Sequence, residues 1–197
     1  MSSFKTSEGN VRGEPLRQRV LDAAEDLLRD GKAEFSMRDL AAAAGVSFAT
    51  PFNQFGSKAA IMHALSARRI EEMKRRLAGT PLNMGTRERI ALAMDVAVAV
   101  MLEEPAVNRV VMGSIGAAGG EHGQVLAHSK SLWALALGAA QDLPTGTRET
   151  ALRLLPEQLA FSFRGTLSFW TAGELSDVEL GRAAREMANT LLRAFTG

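Results

Sequence analysis

From Phe35 to Lys58 the chain reads F-S-M-R-D-L-A-A-A-A-G-V-S-F-A-T-P-F-N-Q-F-G-S-K. Its chemically capable groups are small: Ala49, Thr50, Asn53 and Gln54 fall together on one short segment. Hydroxyls, amides and a methyl at that spacing suit hydrogen bonding and close contact in a DNA major groove. Two short helices and a tight turn must present them. Ser36 caps the first helix, with Asp39 three residues on to complete a capping box. Met37, Leu40, Ala41 and Ala44 recur at helical spacing, and Gly45 stops the helix where a left-handed residue is wanted. Val46 turns inward and Ser47 caps a second helix over about 48–55. Gly56 ends it, and Ser57-Lys58 opens a third. A short helix braced by another across a glycine turn is the geometry of a helix-turn-helix.

The run A-A-G-V-S followed by Thr50, Phe52, Phe55 and Lys58 resembles the helix-turn-helix of the TetR repressor family. The close match covers roughly Leu16 to Ile61, under a third of the chain; the remainder is similar only in length and helicity. The resemblance implies that Ser47, Phe48, Ala49 and Thr50 lie nearest the base edges. Thr50 then donates to a phosphate or base, and Phe48 or Ala49 meets a thymine methyl. Asn53 is a candidate reader of adenine, Lys58 pairs with a phosphate beside free backbone N–H groups, and Arg38 is a further phosphate candidate. Three positions depart from the family pattern. Phe52 keeps an aromatic ring but lacks the hydroxyl of the usual Tyr, and Gln54 replaces a common His or Tyr. Pro51 lies at the fourth helical position if Ser47 is the cap, which predicts a distorted or partly 3₁₀ recognition helix.

The chain has 197 residues and 21.1 kDa, 46% hydrophobic and 23% charged, enough apolar material for a real core. Cysteine is absent, which excludes disulfides and thiolate-held metals. No apolar run reaches the length of a bilayer span. Met1 to Gly13 lacks the apolar stretch of a secretory signal, so a cytoplasmic protein is expected. The net charge is +1, but unevenly spread: residues 1–76 carry 13 Lys/Arg against 10 Asp/Glu, and residues 77–197 carry 10 against 12. The asymmetry has the sign for DNA contact near the N-terminus, resting on a few placed contacts rather than a basic field.

Residues 1–13 read as a flexible arm, and 14–58 as the DNA-binding domain. Pro15 suits the first turn of a helix whose stripe is Leu16, Val20, Ala23, Ala24, Leu27 and Leu28. Arg17 and Arg19 near its start either reach phosphates or face solvent. A long helix from Ser57 to about Leu77 ends in Arg68, Arg69, Lys74, Arg75 and Arg76, a cationic end that the helix dipole explains without DNA. Thr86 caps the next helix, and another runs from about Pro105 to Ala118. Glycines 116, 119, 120 and 123 bracket a loop, Val125 to Leu137 is helical, and Pro144-Thr-Gly146 reads as a turn. Pro156 kinks or splits the helix from Arg148 to about Ala172. Ser176 with Glu179 forms a second capping box.

The fold class is therefore all-α: a helix-turn-helix head and, over 59–197, a larger ligand-binding and dimerisation domain, about nine helices in all. Met94, Met101, Met112, His128, Trp133, Phe161 and Phe169 are candidates to line a cavity, with core packing the alternative for the Met and aromatic positions. The shortage of charge there favours an apolar or aromatic ligand, for which Arg109, His128, Arg153 and Arg164 are the polar handles. Phe163, Leu167, Trp170, Leu180, Ala184, Met187 and Leu191 are the expected dimer interface, since the last two helices carry more apolar surface than a single layer needs. No catalytic motif, metal-ligand spacing or cofactor signature is present; His63, His122 and His128 lack H-x-x-x-H or H-E-x-x-H spacing. The expected function is a dimeric regulator of near-palindromic DNA, a repressor released by a small, mostly apolar ligand. The alternative is a helical dimerisation or adaptor protein with a degenerate head.

Overall fold

In the computed structural model, which describes residues 9–79, 84–115 and 124–196, the described residues form nine α-helices and no strand. The chain divides into two compact units after Leu65, inside the fourth helix rather than at its start. No described helix is long and apolar enough to cross a membrane.

The N-terminal unit holds α1 (Gly9–Arg29), α2 (Met37–Ala43), α3 (Ala49–Phe55) and the first turns of α4 (Lys58–Leu77). α1 starts earlier than the sequence suggests. Residues 1–8 lie outside the described residues, but Gly9 to Gly13 are already helical, so the expected arm does not extend to residue 13 and Pro15 sits inside the helix. Val20, Ala24, Leu27 and Leu28 of α1 are buried with Phe35, Leu40, Ala41, Ile61 and Leu65, the apolar stripe each helix was built to hide. The Ser36 capping box forms: the Asp39 N–H donates to Ser36 Oγ at 3.2 Å and the Ser36 N–H to Asp39 Oδ2 at 2.8 Å. Gly45 turns the chain at φ +61°, which a β-carbon would disfavour.

The second unit is α5 (Thr86–Glu103), α6 (Pro105–Ser114), α7 (Gln124–Leu137), α8 (Thr145–Thr171) and α9 (Asp177–Thr196), with the rest of α4. α8 packs against α6, α7 and α9, and α5 against α6, α7 and α9. Trp133, Trp170, Ile90, Met94, Leu155 and Leu159 are wholly buried between them. α6 ends at Ser114, and the glycine-bracketed loop after it lies outside the described residues. Thr145 and Gly146 are the first turn of α8 rather than a turn before it, because Pro144 stands at the N-cap and its carbonyl accepts from Thr147 and Arg148. α8 then continues through Pro156 without splitting. The Ser176–Glu179 box caps α9.

Thr86 does not cap α5 as expected. It is the first helical residue, and its hydroxyl and N–H both donate to the Asp142 carboxylate from the α7–α8 connection, the N–H at 2.8 Å. The Thr86 hydroxyl, more than burial opposes it, holds the Asp142 carboxyl below its ordinary range. A lowered folded pKa means that this contact stabilises above the ordinary carboxylate value of about 4 and is lost as pH falls through the lowered one. Asp142→Asn should therefore melt below the parent at pH 7, with the gap closing on acidification. Thermal melts of both proteins across pH 7 to 2 measure it; a gap that stays constant would refute the assignment.

Candidate nucleic-acid interface

α3 presents its outer side with an apolar centre. Phe48 and Phe52 are 53% and 43% exposed, far more than aromatic rings in a finished core, and they meet edge to face at 5.5 Å between ring centres. Ala49 and Asn53 are exposed beside them, and Thr50 is half-buried. The Arg38 guanidinium of α2 lies 5.6 Å from the Phe48 ring centre, at the rim of the patch. Arg38, Phe48, Ala49, Phe52 and Asn53 thus form one accessible face: flat apolar surface for a thymine methyl, an amide for adenine, and a cation for a phosphate.

Ser47 does not cap α3 with its side chain. Phe48 occupies the N-cap, and the hydroxyls of Ser47 and Thr50 pair with each other at 2.8 Å. One of the two O–H groups is consumed in that pair, which leaves the other as a donor. The shift also changes the meaning of Pro51. As the third helical residue it lies among the first N–H positions, which have no partner inside a helix anyway, so no bond is lost and α3 stays α-helical around it. Only the entry is tighter, with the Thr50 N–H on the Ser47 carbonyl at 2.9 Å.

Lys58 departs most from expectation. Its ammonium donates to the Ala33 carbonyl at 2.6 Å and lies 4.4 Å from the centre of the Phe35 ring. It therefore closes the α1–α2 connection onto α4 instead of facing a phosphate. The adjacent Ala60 N–H is taken by Ser57 Oγ at 3.1 Å. Arg17, half-buried, and Arg19, exposed, also bond carbonyls of their own unit. Arg17 donates to the Gln54 carbonyl at 2.8 Å and stacks 4.1 Å from the Phe55 ring centre; Arg19 donates to the Ala44 carbonyl at 2.9 Å. Both cations sit at helix C-termini, where free carbonyls and the dipole favour them.

A sequence model described as bacterial regulatory proteins of the tetR family matches residues 20–65, which span this face and the helices that carry it. The helix-turn-helix unit belongs to the TetR family. The whole chain takes the fold of TetR-family transcriptional regulators. It aligns over 91% of its length with 97% of a TetR transcriptional regulator from Rhodococcus sp. RHA1, at TM-score 0.72 and 23% identity. A TetR-like transcriptional regulator from the same organism matches at TM-score 0.53 and 18% identity, over 90% of this chain and 96% of that one. A Rhodococcus sp. RHA1 protein of unknown function matches at TM-score 0.58 and 21% identity, over 99% of this chain and all of the other. None of the curated proteins matches the chain in sequence.

In the second unit of this TetR-family fold, a cavity of about 270 Å³ lies between α4, α5, α6, α7 and α8. Met101, Met112 and Phe161 line it as expected. Met94 and Trp133 do not; both are fully buried core residues. His128 is half-buried away from the wall, and Phe169 is 55% exposed on the surface. Phe163 and Leu167, expected between subunits, instead belong to the cavity wall. Trp170, Leu180 and Ala184 are likewise buried in their own unit, while Met187 and Leu191 pack half-buried against that core. Packing within the chain explains the difference: α9 is covered by α5 and α8, so its apolar stripe already has a partner. Of the polar handles, Arg109 pairs with Asp177 at 2.6 Å and stacks on Trp170, and Arg153 is exposed. Arg164 alone of the four reaches the cavity.

Proposed function

We propose that this chain is a dimeric, sequence-specific DNA-binding transcriptional regulator, a repressor released when a small, mostly apolar molecule fills the α4–α8 cavity. The observation that carries the reading is the exposed Phe48–Phe52 pair with Asn53 and Arg38 on a TetR-family head. Large aromatics exposed on a seven-residue helix have no packing role, and an apolar, polar-rimmed face fits a groove floor. Pairing of two copies would use the accessible side of α8, where Phe161 and Phe169 are exposed and Gly165 separates them, in place of the core residues first expected there.

Release is supported by one feature of α4. Ser66, Ile70 and Met73 of that helix line the cavity, and its first turns, Lys58 to Leu65, belong to the helix-turn-helix unit. A ligand that prefers the DNA-incompetent conformation lowers operator affinity by its differential affinity for the two states and no more.

A mobility shift of the purified protein on DNA flanking its own gene, titrated with salt, tests the reading. A saturable shift confined to one fragment, footprinting to a near-palindrome and weakening steeply with salt, is expected. Weak shifts of equal strength on all fragments would favour the adaptor alternative.

A further inference from the structure

Among the described residues, Arg164 is the one charged residue that lines the cavity proposed for the ligand. Arg164 of α8 donates from Nη2 to the Met112 carbonyl at 2.8 Å, while Nη1 is buried and has no hydrogen-bond partner among the described residues. No carboxylate pairs with it among the described residues, and burial alone holds its pKa below the ordinary arginine value. A guanidinium stays protonated even so, since its ordinary value lies far above neutrality. Arg164 is half-buried, but a buried guanidinium nitrogen with no acceptor is costly and uncommon in a native structure. The surrounding wall offers no compensation: Met101, Met112, Phe161, Phe163 and Leu167 are apolar. Ser66 and Ser129 add hydroxyls to the lining.

We infer that the ligand is an amphipathic monocarboxylate, an acyl chain or arene whose acid group pairs with the Arg164 guanidinium while its apolar body fills the space between the methionines and phenylalanines. One guanidinium without a carboxylate among the described residues matches the single charge of a carboxylate; a phosphate carries up to two charges near neutral pH, more than that one cation offsets. The inference rests on the cavity being a ligand site and names the chemistry of that site.

Matched pairs test it: decanoate against 1-decanol, and 4-phenylbutyrate against 4-phenylbutan-1-ol, titrated into the full chain at pH 7.5. Binding is followed by calorimetry and by tryptophan emission, since the Trp133 ring lies edge-on to cavity-lining Phe163 at 5.5 Å. Each acid should bind once per chain, about tenfold to a hundredfold more tightly than its alcohol, the range of a charge-assisted hydrogen bond. Arg164→Gln should bring the acid down to the level of the alcohol. Equal binding of acid and alcohol by the parent would overturn the carboxylate while leaving the cavity a ligand site. An acid preference that survives in R164Q would put the carboxylate elsewhere and also overturn it. Binding of neither would remove the ligand site and the inference together. Should R164Q not fold by circular dichroism, the parent's acid-to-alcohol ratio still decides.

Discussion

An Ala49→Glu variant should bind operator DNA at least about a hundredfold more weakly than the parent while melting at the same temperature or slightly above it. Ala49 is exposed and is the first residue of α3, so the larger side chain meets no packed neighbour. A carboxylate in the first turn is favoured by the helix dipole, by about 0.3–1 kcal/mol. The same carboxylate stands between Phe48 and Asn53 on the face proposed to enter the groove. There it opposes the phosphates and the acceptor-rich base edges, and like-charge juxtaposition at an interface costs several kcal/mol. A hundredfold loss corresponds to about 2.7 kcal/mol, well inside that range. Ala49→Gln, similar in size but neutral, should lose much less, which separates charge from bulk. A mobility-shift titration beside a thermal melt reads both quantities. Unchanged DNA affinity in the Glu variant would mean that this side of α3 is not the DNA surface.

The head was legible in sequence where its structure depends on neighbours a few residues apart. Ser36 with Asp39, Ser176 with Glu179, and Gly45 at φ +61° are decided within one turn of chain, and each forms as written. Pro51 shows how narrow the margin is. Moving the N-cap from Ser47 to Phe48 turns it from a residue that deletes a hydrogen bond into one that deletes none. Lys58 was not legible, because its carbonyl partner at Ala33 lies 25 residues away and brings Phe35 with it. A lysine opening a helix carries no local sign of which way its ammonium turns.

The second unit was read correctly as helices and only partly as surfaces: Met101, Met112 and Phe161 line the cavity, but Met94 and Trp133 are core. Periodicity tells which side of α8 or α9 is apolar but not what covers it. Phe163 and Leu167 could face a partner, a ligand or a neighbouring helix with the same spacing, and in the structure they line the cavity. Phe169, which the pattern grouped with the pocket, is 55% exposed and lies off the cavity wall, whereas Phe161 lines it. Arg164 was recognisable as a polar handle, but its unused nitrogen was not, since that depends on where the carboxylates of several helices lie, and among the described residues none reaches it.

Asn108→Leu should destabilise the second unit by about 3 kcal/mol and lower its melting temperature by roughly 10 °C. Asn108 is 1% exposed, and its amide is fully employed. Nδ2 donates to the Val100 carbonyl at 3.1 Å and the Met101 carbonyl at 2.9 Å, and Oδ1 accepts from Arg69 Nε at 2.9 Å. The demand is created by Pro105. α5 stops at Glu103, and the residue that would next serve the Met101 carbonyl is a proline with no N–H. Asn108, one turn into α6, supplies the missing donor from the side and so caps the helix before its own. Leucine has the same branched skeleton and is larger, so no cavity opens; the loss is of hydrogen bonds to buried carbonyls, each about 1–3 kcal/mol when left unmade, partly offset by apolar burial. Asn108→Asp should be at least as damaging near neutral pH, because it keeps the acceptor for Arg69 but turns a carboxylate toward two carbonyl oxygens. Arg69→Met should cost less than either, since it leaves both carbonyls satisfied. That order, with Asp and Leu worst and the Arg69 variant mildest, distinguishes a capping amide from a simple partner of Arg69; the reverse order would make Arg69, which also pairs with Glu104 at 3.4 Å, the stabilising element. Met101 also lines the cavity, so the amide that ends α5 holds part of the cavity wall, and the Leu variant should weaken binding of the proposed ligand even where it remains folded.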